Sequence, residues 1–195
     1  MYFFSVLKHD HDIPWVQNVK NILDECGLSY IWNTHTFYST NWLYFSVKHN
    51  LIDQFRQTWH DTVQNSSKTF NYRIYKEDLN MEYYLKALGD KNIKTLCRFR
   101  TLNMKLPVET GRWQNIDRQN RTCQLCDNGD LGDEFHYIMI CPFFANTRKE
   151  HIKNQYIIRP NILKFKKLMD SKKLSDLNNL CKFIRIINTY LTSPG

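Results

Sequence analysis

Four residues dominate any reading of this sequence: Cys123-Gln124-Leu125-Cys126, nine residues, His136, four more, and Cys141. Three thiolates and one imidazole make a recognised tetrahedral zinc set, and a structural site uses all four positions, leaving none for water. Two cysteines separated by two residues form a tight turn that can bring both sulfurs to one ion. Asn128-Gly129-Asp130 and Gly132 supply bends that return the chain. His136 and Cys141 are five apart, which on an uninterrupted α-helix sets them about 140° from one another. The helix must therefore deform or end near Ile140, and Pro142 helps by pushing Cys141 out of the α region. Closure is energetically easy. Doubling a loop costs only about 0.6 kcal/mol, whereas structural zinc supplies roughly 10–16 kcal/mol in small peptides. Cys123, Cys126, His136 and Cys141 are the expected ligands. The competing readings are unbound core cysteines and a Cys-x-x-Cys redox pair, the latter lacking a βαβ context and leaving His136 and Cys141 unexplained.

The rest of the 195 residues has room for one domain, or a domain with an arm. With 42% hydrophobic and 14% aromatic residues, wholesale disorder is excluded. No apolar run reaches the roughly 18 residues of a membrane span. The opening Met1-Tyr2-Phe3-Phe4-Ser5-Val6-Leu7 has no basic lead-in and makes a poor secretory signal. An intracellular setting, nucleus or cytoplasm, is expected, where cysteines stay reduced and more often bind metal than pair.

The formal charge of +8 is unevenly spread. Residues 1–90 are net −2, 91–121 net +6, 122–143 net −4 and 144–195 net +8. The basic excess sits in the second half, broken by one acidic island around the cysteines. Basic blocks suit a polyanion, most simply nucleic acid, or an ordinary lysine-rich surface.

Hydrophobic periodicity predicts a mainly α fold. Asp12-Ile13-Pro14 opens a helix, with Asp12 near its N-cap, and Gly27 closes it. Residues 28–40 fit helix or extended chain equally. Trp42, Phe45, Ile52, Phe55, Trp59 and Val63 keep a helical period to about Gln64. Phe70, Tyr72 and Ile74 alternate like a short extended stretch. Asn80 and Asp90 are candidate caps for the next two helices. From about Lys91 to Leu102, Ile93, Leu96 and Cys97 share one face, while Lys91, Lys94, Arg98, Thr101 and Lys105 descend another as a basic stripe. Pro107 is expected to stop this helix, leaving Gly111-Arg112-Trp113 in a loop. There Trp113 either packs as a satellite core residue or stacks on a base. Helices follow at about 143–152, with Arg148, Lys149 and Lys153, then around Leu163–Met169, and from about Leu174 to Leu191. Cys26, Cys97 and Cys181 lie on apolar faces and read as small core residues. His9-Asp10-His11-Asp12 reads as a solvated segment. No phosphate-binding Gly-rich loop, Gly-x-Ser-x-Gly or His-Glu-x-x-His motif is present.

Several motifs also carry a resemblance. Leu106-Pro107-Val108-Glu109-Thr110-Gly111-Arg112-Trp113, a basic spacer ending in Arg121, then Cys123-x-x-Cys126, Asp133-Glu134-Phe135-His136-Tyr137, Cys141-Pro142-Phe143 and Arg148 follow one another. Together they resemble the C-terminal region of reverse transcriptases from non-LTR (LINE-type) retrotransposons. Leu96, Arg98, Phe99 and Arg100, and Phe55-x-x-x-Trp59 with the Ser66-Ser67 break, resemble the same region. The resemblance is specific across roughly residues 50–155. It implies a segment that follows the polymerase thumb and bears a CCHC zinc knuckle, implicated in holding element RNA or target DNA. It departs from that family in the spacer before the histidine, which is longer than in short retroviral knuckles. No two aspartates are adjacent, so the polymerase Asp-Asp signature is absent, and no endonuclease module is recognisable.

The reading is a small helical domain with an embedded CCHC zinc knuckle. It divides into a helical connector (1–78), the basic helix with the knuckle (79–157) and lysine-rich helices (158–195). The expected function is non-catalytic binding of zinc and of RNA or DNA. Lys91, Lys94, Arg98, Lys105, Arg112, Arg118 and Arg121 would contact phosphates and Trp113 would stack. The alternatives are a zinc-stabilised module that docks a protein partner, or a retroelement relic without function.

Overall fold

The structure, a computed structural model, describes residues 13–193 and is mainly α-helical. The segment His9–Asp12, with the expected cap Asp12, lies outside the described residues. The chain forms two compact units, one to Asp61 and one from Thr62 onward.

The first unit holds α1 (Pro14–Glu25), α2 (Ser29–Thr34) and most of α3 (Thr40–Asn65). Ile13 occupies the N-cap position of α1, and Pro14 starts the helix where its missing N–H costs nothing. At the other end Gly27 takes φ 70°. Leu28 N–H bonds Leu23 O and Gly27 N–H bonds Asp24 O, the paired bonds of a Schellman stop. Val16, Leu23, Cys26, Leu28, Ile31 and Trp32 bury against one another, and Trp42, Leu43 and Val47 of α3 pack on them. Asn50 and Gln54 donate to the carbonyls of Cys26 and Glu25, tying α3 to the end of α1. Residues 29–34, which the pattern leaves open, are thus helical.

The second unit contains α4 (Tyr72–Tyr75), α5 (Tyr83–Ala87), α6 (Asp90–Arg100), α7 (Pro107–Trp113), α8 (Ala145–His151), α9 (Asn154–Ile157), α10 (Ile162–Met169) and α11 (Leu174–Thr192). The alternation at Phe70, Tyr72 and Ile74 is not a strand but a short 3₁₀ turn followed by α4. Among the described residues there is an isolated antiparallel bridge, Thr122 with Leu131, and no strand. One core runs from Tyr75 to Ile187, so the residues after 158 share it. Leu96 and Phe99 of α6, Phe165 of α10, and Leu180, Phe183 and Ile184 of α11 are among its fully buried members.

Two local outcomes differ from the sequence pattern. Pro107 begins a helix instead of leaving a loop behind it. Its fixed φ suits the first helical position, so Gly111, Arg112 and Trp113 are helical. The stop of α6 is instead made by Leu102, a leucine at φ 50°, a conformation that L side chains rarely adopt. Burial of the Leu102 side chain in the core offsets that cost.

Arg100 organises this core. Its side chain is 1% exposed and its guanidinium lies 4.3 Å from the Tyr75 ring centroid and 5.1 Å from that of Tyr84. It pairs with Glu82 and donates to Met169 O at 2.7 Å. This pairing and hydrogen bonding offset the cost of burying the Arg100 charge.

Candidate metal centre

The Cys/His cluster is assembled from two short stretches of chain. Cys123 and Cys126 lie on a turn pinned at its base, where Cys123 N–H bonds Asp130 O at 2.8 Å and Gly132 N–H bonds Arg121 O at 2.9 Å. His136 and Cys141 lie at the start and just beyond the end of a π-helical turn, His136–Ile140. Its closing bond, Cys141 N–H to His136 O at 2.7 Å, is an i to i+5 contact. That wider turn is how the chain brings residues five apart to one side, which an α-helix cannot do. The deformation expected from the spacing is therefore this turn, and Pro142 follows it at once, opening a 3₁₀ turn over Pro142–Phe144.

The four donor atoms lie within 4.8 Å of one another, so the cluster can hold a metal ion. Cys123 Sγ and Cys141 Sγ are 3.9 Å apart. Two sulfurs each about 2.3 Å from one tetrahedral ion would be separated by about 3.8 Å. Cys126 Sγ lies 3.4 Å from His136 Nε2, which identifies Nε2 as the donor nitrogen. The other ring nitrogen, Nδ1, is buried, lacks a hydrogen bond and faces Asp130 Oδ2 at 3.5 Å. A metal-bound histidine commonly turns its second nitrogen toward a carboxylate. Cys123, His136 and Cys141 are buried and Cys126 is half-buried, so the site is closed on most sides.

The surroundings favour thiolate at Cys123. Tyr137 O–H donates to Cys123 Sγ at 3.4 Å, and Leu125 N–H donates to the same atom at 3.4 Å. The Cys123 thiol is held well below its ordinary range, first by the Cys141 hydrogen bond and then by His136, Tyr137 and Leu125, against the opposing effect of burial. Cys141 is pushed up, first by yielding that hydrogen bond and then by burial. A hydrogen bond thus already shares the proton between two sulfurs that one cation would bridge.

Four polar residues brace the π turn. Asp133 Oδ1 accepts His136 N–H at 2.9 Å, the three-residue reach of an N-cap. Asn71 donates to Asp133 Oδ2 at 3.1 Å and to Glu134 Oε2 at 2.6 Å. Glu134 is fully buried, and burial pushes its carboxyl up to about 8. At the other end Arg148, buried on α8, donates to Ile138 O at 2.8 Å, Tyr137 O at 3.4 Å and Cys141 O at 2.6 Å. The sequence pattern grouped Arg148 with Lys149 and Lys153 on this helix without assigning it a face. The helical spacing of Phe144, Arg148 and Ile152, all buried, is the signal that sets it inside.

The expected phosphate contacts divide into two groups. Lys91, Lys94, Arg98 and Lys105 are exposed. Arg112, Arg118 and Arg121 are engaged within the chain. Arg112 makes two hydrogen bonds to buried Glu109, at 3.0 and 2.7 Å. Arg118 lies 4.1 Å over the Phe70 ring and 3.7 Å from Asp133. Arg121 donates to Ile116 O and Val108 O at 2.7 and 2.9 Å. Trp113 is 60% exposed, with its indole N–H on Glu109 Oε1 at 3.1 Å, so it is not a core residue. Cys26 and Cys181 are buried and Cys97 packs on the core, the small apolar role read from their positions.

No family model matches this chain, and no curated protein or solved structure matches it. No helix among the described residues is long and apolar enough to cross a membrane.

Proposed function

We propose that this chain is a non-catalytic zinc-binding module that binds nucleic acid, akin to the region after the thumb in non-LTR retrotransposon reverse transcriptases. The observation that carries the metal half is the convergence of Cys123 Sγ, Cys126 Sγ, His136 Nε2 and Cys141 Sγ. A sulfur-rich tetrahedral set selects zinc over hard cations such as magnesium or calcium. Four protein ligands leave no position for a reacting water, so the ion would serve the fold. Zinc would cross-link the 123–126 turn to the π turn and hold both against α7 and α8.

The nucleic-acid half is supported by the exposed row Lys91, Lys94 and Arg98 on α6, by exposed Lys105, and by the exposed ring of Trp113. Rows of cations track a phosphate backbone, and an exposed indole can stack on an unpaired base. Binding of random-sequence RNA and DNA, measured across a salt series, tests this. Affinity should fall steeply with salt, and Lys94→Glu with Arg98→Glu should weaken binding and flatten the slope. Salt-independent binding, or unchanged affinity in that double variant, would contradict the reading.

A second reading, a protein-docking module, draws on two observations. The acidic residues beside the cluster, Asp127 and Asp130, would repel phosphate locally, and Tyr44, Phe45 and Phe55 of α3 are more than half exposed. Pull-downs with and without nuclease separate the two, because only nucleic-acid-mediated partners are lost on digestion.

A further inference from the structure

We infer that the cleft between α6 and α11 is a subsite for a single phosphate group. It is lined by Thr95, Arg98, Met104, Arg185 and Asn188 and has a volume of about 170 Å³. That is well below the roughly 300 Å³ at which pockets begin to enclose drug-sized ligands. The size suits one phosphate, not a whole nucleotide. Two arginines and an asparagine supply its donors, the Thr95 hydroxyl being bonded to Lys91 O at 2.8 Å, and none of the five lining residues is acidic. The chemistry is that of a phosphate monoester or diester, for which paired arginines are well matched because their planar forks can grip two oxygens at once.

Both arginines are already positioned. Arg185 Nη1 donates to Asn92 Oδ1 at 2.7 Å, and Asn92 Nδ2 donates in turn to Asn178 Oδ1 at 2.7 Å. Arg98 Nε donates to Asn103 O at 3.2 Å. The Arg185 and Arg98 contacts each use one of the five N–H donors of a guanidinium. The side chains are thus partly fixed before any ligand arrives, which lowers the entropy lost on binding. Arg185 is half-buried, so its charge acts through a medium less screening than water. Lys94 lies one turn before Arg98 and Lys91 three residues before that, so the exposed row on α6 leads to the cleft. The subsite deepens the nucleic-acid reading by naming where one backbone phosphate would sit, and it rests on that reading for the polymeric ligand alone.

The test titrates inorganic phosphate, and separately a short single-stranded oligonucleotide, into the full zinc-loaded chain. ¹⁵N NMR would follow the Arg98 and Arg185 Nε signals and the Thr95 and Asn188 amides. Phosphate should produce saturable shifts confined to these groups. Arg98→Gln with Arg185→Gln should weaken both probes at least tenfold. Lys167→Gln, which removes an exposed charge elsewhere, should leave both unchanged. Asn188→Phe fills the cleft without changing charge and should block phosphate even if the arginine variant unfolds. Phosphate shifts scattered over the surface, or equal phosphate affinity in Asn188→Phe and the parent, would overturn the subsite. An oligonucleotide bound equally by the parent and the folded double-glutamine variant would overturn it too, while leaving nucleic-acid binding standing. Phosphate bound in the cleft by a chain that ignores the oligonucleotide would keep the subsite and remove the nucleic-acid reading.

Discussion

Arg148 donates to the backbone carbonyl of Cys141 at 2.6 Å, so the last candidate ligand is held by a charged side chain seven residues further along. The same guanidinium also reaches Ile138 O and Tyr137 O, closing the open end of the π turn. Hydrogen bonds to charged groups contribute more than neutral ones, and buried carbonyls left without donors are costly. Arg148→Ala is expected to lower unfolding free energy by about 1–3 kcal/mol, the cost of leaving buried acceptors unsatisfied. Metal affinity should drop by about 10–100-fold, as for other outer-shell partners. Arg148→Lys should fall between, since one ammonium cannot span three carbonyls in a plane. Denaturant midpoints and chelator competition measure the two effects. Parent-like metal affinity in a folded Arg148→Ala chain would show that the π turn holds its shape unaided.

Gly132 joins the turn of the first two cysteines to α7. A Cβ built there would meet Pro107 Cγ at 2.6 Å and Pro107 Cβ at 2.8 Å, and Val108 N–H bonds Gly132 O at 3.3 Å. The proline ring cannot swing aside. Gly132→Ala should therefore cost about 1–3 kcal/mol, the range of overpacked sites. Thermal unfolding of the metal-loaded chain would read it, and an unchanged midpoint would mean that the turn and α7 separate freely.

The convergence of the four Cys/His residues and the break near Cys141 were legible in the sequence because both are local geometry. Helical periodicity likewise placed most helices, since an apolar stripe must face a core whatever that core contains. Arg148, Asp133 and Arg112 were harder to read, because charged residues in a basic or acidic block look alike until their partners are known. Arg112 in particular belongs to Glu109, three residues earlier, a pairing that becomes visible only once Pro107 is seen to start a helix instead of ending one. Leu102 at positive φ left no signal at all, because only its burial makes that conformation tolerable.

The Glu109 pairing gives the chain an acid-sensitive element. Burial alone would raise the Glu109 carboxyl, but hydrogen bonds from Arg112 and Trp113 and the nearby charges of Arg112 and Lys68 bring it below the ordinary glutamate value. A folded value lowered below the unfolded one contributes stability that is present above pH 4.5 and lost as pH falls through the folded value. The Trp113 indole N–H resonance should shift over that acid range, together with a falling thermal midpoint. Glu109→Gln should remove this part of the acid response. An indole signal that stays fixed as the carboxyl titrates would contradict the assignment.

Arg100 should be among the residues least tolerant of change. Truncating it leaves Glu82 without its closest partner and empties the space between Tyr75 and Tyr84. Arg100→Ala should destabilise by about 3–5 kcal/mol, and Arg100→Lys by less, because lysine keeps the charge but loses the planar stacking. Equilibrium unfolding measures both. A loss below about 0.5 kcal/mol in Arg100→Ala would place the site among ordinary surface positions.

The most direct test is elemental analysis with X-ray absorption on the purified chain. One zinc per chain is expected, with three sulfur neighbours near 2.3 Å and one nitrogen near 2.0–2.1 Å. Cys123→Ser should lose that signal together with the fold around residues 121–148. A chain that purifies folded without metal, or whose metal content survives Cys123→Ser, would contradict the account.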